Sequence, residues 1–134
     1  MTQVGQDSPG TRSTMTVGGK DVAYYSLKKA SEKLGDISRL PFSMKVLLEN
    51  LLRFEDDNSV KKEHVEALVK WDPQAVPTQE IAFRPARVLL QDFTGVPLLV
   101  DLAAMRSAAD RMGGNPGMIA PLVHVHLVVD HRVP

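Results

Sequence analysis

The sequence predicts an α/β fold: an N-terminal β-hairpin and helices, followed by a βαβ unit with parallel strands. Three observations carry this. Two short runs fit for strands, Ser13–Val17 and Asp21–Tyr25, flank Gly18-Gly19. Between Pro41 and Phe54 the apolar residues recur at helical spacing. Two apolar runs, Val88–Leu90 and Val123–Val129, bracket a second long helical pattern.

Taken in order, residues 1–12 are polar with Gly and Pro, and read as a flexible lead-in. Gly18-Gly19 permit the positive φ that a tight hairpin turn needs. Lys28–Leu34 fits a short helix closed by Gly35. In Pro41–Phe54, Met44, Leu47, Leu48, Leu51 and Leu52 line one face, while Lys45, Glu49, Asn50 and Arg53 form a solvated opposite side. Asn58-Ser59 can cap a third helix that runs to Lys70, with Val65, Leu68 and Val69 inward and Asp72-Pro73 as its stop. Residues 74–79 are a connector, and Glu80–Phe83 suits a short extended piece.

The strand Val88–Leu90 then breaks into a polar turn at Gln91 and Asp92, with Thr94 and Asp92 as turn and cap residues. A helix follows from Pro97 to Met112, where Leu98, Leu102, Met105, Ala109 and Met112 repeat on one side and Asp101, Arg106 and Asp110 on another. Gly113-Gly114 ends it, Asn115-Pro116-Gly117 loops, and the last strand leads into Asp130-His131. Strand–helix–strand order predicts a parallel pair, whose C-terminal tips share one edge. Gln91-Asp92 and Asp130-His131 are therefore expected at the same edge, where α/β folds gather ligands. Trp71 and the methionines read as core.

Composition narrows the function classes. Sixteen basic residues balance sixteen acidic ones, so no global charge favours nucleic acid or an anionic membrane. There is no cysteine, which rules out disulfides, thiolate metal ligands and cysteine nucleophiles within this chain. No apolar run approaches the roughly 20 residues that span a bilayer. The first residues carry no secretory signal pattern, and the cytoplasm is the expected location.

Asp130-His131 is the best acid/base candidate, because a carboxylate beside an imidazole can hold it protonated near neutral pH, ready to protonate a leaving hydroxyl. Such dipeptides also arise by chance. Gln91 can donate and accept at once, which suits a carboxylate or hydroxyl ligand, or equally the amides of a loop. His124 and His126 share one face of a strand, a spacing found in metal sites. Without a full ligand set they read as solvated edge residues, and no metal site is expected. No nucleophile elbow, Walker loop or dinucleotide-binding glycine motif is present.

Longer strings say more. Leu40-Pro-Phe-Ser-Met-Lys-Val-Leu-Leu-Glu-Asn-Leu-Leu-Arg53 resembles the N-terminal helix segment of the aconitate hydratase A family, which includes bacterial aconitases and the cytosolic aconitase/iron-regulatory proteins. Pro85–Pro97, with Gln91-Asp-Phe-Thr-Gly-Val-Pro97 at its end, and Val100–Arg106 are similar to that family's next block. Gly113–Pro116 and Leu127-Val-Val-Asp-His131 continue in register, so the resemblance covers residues 10–133.

The resemblance implies an incomplete N-terminal aconitase-type α/β domain over residues 13–134. It also implies an enzyme, a hydro-lyase of the tricarboxylic acid cycle that interconverts citrate and isocitrate through cis-aconitate. The family's substrate-contacting glutamine falls on Gln91, and the Asp-His pair that protonates the departing hydroxyl falls on Asp130 and His131. A four-iron–four-sulfur cluster, the serine base and the substrate-gripping arginines would come from the remainder of the polypeptide. The isolated chain is accordingly expected to be inactive. Two departures stand close to the site: His124-Val-His126-Leu replaces the usual Pro-Val-Asp-Leu, and Arg132 replaces a serine. Some family members bind RNA hairpins after losing the cluster, which makes RNA an alternative partner, disfavoured here by the neutral charge. An inactive truncated remnant is the remaining alternative.

Overall fold

The computed structural model describes residues 5–129, which form two compact units, one ending at Arg84 and one beginning at Pro85. The fold is mixed α/β, with an antiparallel hairpin, four α-helices and a parallel two-stranded sheet among the described residues. No described helix is long and apolar enough to cross a membrane.

The first unit opens with β1 (Arg12–Val17) and β2 (Lys20–Tyr25), paired antiparallel from Arg12↔Tyr25 to Val17↔Lys20. Gly18 and Gly19 turn the chain at φ 56° and 76°, a left-handed pair that side chains disfavour. Ser26 caps α1 (Leu27–Leu34), its hydroxyl accepting from the Lys29 N–H, and Gly35 closes it at φ 115°. Next come α2 (Phe42–Phe54) and α3 (Lys62–Val69). Leu48, Leu51 and Leu52 of α2 are fully buried against Val60, Val65 and Leu68. Each such side chain contributes roughly 1.5–3 kcal/mol of burial. Trp71, half-buried, packs on the edge of this core, as do Ile81 and Ala82. No strand forms over Glu80–Phe83, where an extended piece was expected.

Residues 5–11 are hydrogen-bonded to the body of the first unit. The Gly5 and Gln6 N–H groups donate to the Glu55 carbonyl, Ser8 donates twice to the Glu55 carboxylate at 2.6 and 2.7 Å, and Thr11 is fully buried. The polar residues of this segment supply the donors of this clasp, and one further expectation is corrected. Asn58-Ser59 does not cap α3, which begins only at Lys62. Both residues instead belong to a turn gathered around Asp56. Its carboxylate accepts from the N–H groups of Asn58 and Val60 and from the Ser59 hydroxyl.

Asp56 also takes a 2.6 Å ion pair from Arg84. The Val60 hydrogen bond, against the opposing effect of burial and with help from Asn58, Ser59 and Arg84, holds this carboxyl well below the usual carboxylate range. Arg84 is tied a second time through its backbone. Asn50 of α2 donates to the Arg84 carbonyl at 2.8 Å and accepts the Arg84 N–H at 3.0 Å.

The second unit is β3 (Arg87–Gln91), α4 (Asp92–Arg111), a 3-10 turn (Pro116–Met118) and β4 (His124–Val128). The strands are parallel, in register from Arg87↔His124 to Gln91↔Val128, as strand–helix–strand order requires. α4 starts directly at Asp92 and carries Pro97 inside it, so the expected turn at Gln91-Asp92 and helix start at Pro97 are both corrected. The strand passes into the helix without a loop, and the Asp92 carboxylate lies in the first turn, where the helix N-terminus favours negative charge.

Candidate functional site at the parallel strand edge

β3 and β4 present two faces. Val88, Leu90 and Val125 are half-buried on the face that α4 covers, with Leu127 beside them. Arg87, Leu89, Gln91, His124, His126 and Val128 alternate with them on the other face and are exposed. The unit is thinly packed. Apolar clefts of about 340 Å³ and 390 Å³ flank α4, the first lined by Leu90, Leu99, Leu102, Arg106 and Leu127, the second by Val88, Leu98, Met105 and Met118. The methionines that read as core are largely exposed here: Met105, Met112 and Met118 at 52%, 86% and 80%. A two-stranded sheet with one helix supplies too few partners to bury them.

α4 can start so abruptly because of Gly95. It is buried, and a Cβ built on it would lie 2.6 Å from the Leu90 Cβ and 3.1 Å from a Leu127 methyl. Only hydrogen fits between the first turn of α4 and both strands. The signal for this was present in the sequence, as an isolated glycine just beyond a strand end. Arg106, exposed, also donates from Nε to the Ile119 carbonyl at 2.9 Å and ties α4 to the loop before β4.

Gln91 closes β3 and is register partner of Val128, the last residue of β4. Both strand ends therefore stand at one edge. Asp130 and His131, which follow β4 by two and three positions, lie outside the described residues. Among the candidates, then, Gln91 is positioned by the sheet, and the Asp-His pair is not described. His124 and His126 lie on the uncovered face with ring centres 4.9 Å apart. No cluster of three or more His, Cys, Asp or Glu with metal-binding geometry occurs among the described residues.

Residues 60–134 match the model of the aconitase family (aconitate hydratase), more than half of the chain. The chain belongs to the aconitase family. Among curated proteins it is similar to aconitate hydratase A of Legionella pneumophila, 58% identical over 132 residues. It is 55% identical to aconitate hydratase A of Escherichia coli over 123 residues, and 50% to that of Bacillus subtilis over 123. These matches take in 98%, 92% and 91% of the chain, but only 15%, 14% and 14% of the respective relatives. The chain thus spans about one seventh of the length of these aconitases. The family implies an iron–sulfur cluster in the full enzyme. This chain has no cysteine, so its donor set does not fit the thiolate ligands of such a cluster.

Proposed function

We propose that this chain is the N-terminal part of an aconitate hydratase that interconverts citrate and isocitrate through cis-aconitate. The observation that supports the reading is the register Gln91↔Val128 in a chain of this family: it sets Gln91 at the C-terminal edge of the parallel pair, and Asp130 and His131 follow β4 closely in the sequence. In this reading Gln91 hydrogen-bonds a substrate carboxylate or hydroxyl, and its two-sided amide fixes the ligand's orientation. His131, next to Asp130 in the sequence, gives a proton to the departing hydroxyl. The two units form part of one larger α/β domain, in the cytoplasm. The cluster is of the four-iron–four-sulfur type, with its cysteines elsewhere in the full polypeptide, so no step of this chain's own chemistry runs through it.

Two measurements test the proposal. The purified chain, supplied with iron and sulfide, is expected to give no citrate-to-isocitrate conversion; measurable turnover would contradict the division of roles. Grafted in place of the matching segment of the Legionella aconitate hydratase A, the chain is expected to support turnover. An inactive but folded, cluster-loaded graft would contradict the assignment.

A further inference from the structure

His124 and His126 are unused by the proposed chemistry, and they stand where the resembled wording has Pro-Val-Asp-Leu. The geometry points to a two-histidine chelate for a divalent transition metal of the copper, nickel or zinc class on the uncovered face of the parallel sheet. Residues two apart on a strand project from the same face, and both imidazoles are exposed, with no described element over them.

The spacing suits a shared ion. A metal–nitrogen bond of about 2.0–2.1 Å puts the ion roughly 3.2 Å from each ring centre, so two imidazoles bound at angles between square and tetrahedral have centres roughly 4.5–5.2 Å apart. The observed separation is 4.9 Å, with the rings tilted by 59° rather than stacked. The ring centres therefore stand at a separation that a shared ion can bridge.

The surroundings choose the metal. Arg87 is the register partner of His124 and Leu89 that of His126, so the face offers a positive charge and an apolar side chain but no oxygen ligand from β3 at these positions. That disfavours calcium and magnesium, which need oxygen donors, and leaves metals that bond strongly to imidazole, with copper(II) tightest. Water or a small anion fills the remaining positions, and Arg87 favours the anion.

Nickel(II) titrated into the whole chain, followed by calorimetry, tests this. The expected result is one ion per chain. His124→Ala or His126→Ala should each weaken binding about 100-fold, because a chelate's second bond benefits from high effective concentration. Copper(II) resonance spectra should show two nitrogen ligands in the parent chain and one in either variant. Circular dichroism should be unchanged, since both side chains are exposed. His64, on α3, serves as a control whose replacement by alanine should leave the affinity intact. Absence of binding, or affinity retained in the His124→Ala/His126→Ala double variant, would overturn the proposal.

Discussion

At Gly95 the difference between a hydrogen and a methyl group decides how closely α4 approaches β3. Gly95→Ala places a Cβ 2.6 Å from that of Leu90, both on backbone that the sheet and helix hold. Overpacking of this kind costs about 1–3 kcal/mol, so a urea titration should find the variant less stable by that amount, despite alanine's better helix propensity. Asp56 makes a pH-dependent prediction. Its carboxyl titrates below its ordinary value of 3.8 in the folded chain. The unfolded state therefore binds the proton first, and the stability Asp56 contributes is whole well above pH 3.8 and is lost as the pH falls toward the folded-state value. Urea midpoints measured from pH 6 down to pH 3 should fall less steeply for Asp56→Asn than for the parent. A parallel fall would refute the role. Neither residue's part was legible from spacing. Asp56 looks like one more charge in a polar loop until the turn closes around it. Asn50, placed on a solvated helix face, turns out to hold the backbone of a residue 34 positions away.

Elements were most legible where local chemistry alone fixes them. Gly18-Gly19 dictated the hairpin turn, and five leucine and methionine positions dictated the buried side of α2, because both signals act over a few residues. The start of α4 was misread because Pro97 is a strong entry signal, yet the helix already runs from Asp92. Contact of Gly95 with both strands supplies the tertiary reason, which no local rule contains. Pro97 then lies in the second turn without an N–H to give to the preceding turn. Pro97→Ala should restore that bond, slow amide exchange across the N-terminal half of α4, and stabilise the helix by up to about 3 kcal/mol. Unchanged exchange in Asp92–Asp101 would contradict a cost from the missing Pro97 N–H.

On the scale of the whole molecule, the two units differ in how far they complete themselves. The first closes a core of fully buried leucines and valines; the second leaves Phe93, Val100, Leu122 and Val129 exposed. Surface of this kind is what a longer polypeptide would cover, in keeping with a chain that spans 15% of its Legionella relative. The parallel order of β3 and β4 was legible because strand–helix–strand connectivity leaves few choices, and with it the edge where Gln91 stands. The chemistry proposed for that edge rests on resemblance alone, since an exposed glutamine and an Asp-His dipeptide in the sequence name no substrate by themselves.

The central claim is that this edge grips the substrate through Gln91, and steady-state kinetics of the Legionella graft measure it most directly. Gln91→Ala should lower kcat/KM for citrate by at least about tenfold, the loss of roughly 1.4 kcal/mol from one hydrogen bond to a charged group. Cluster content and thermal stability should stay those of the parent graft. A Gln91→Ala graft with undiminished kcat/KM would contradict the account.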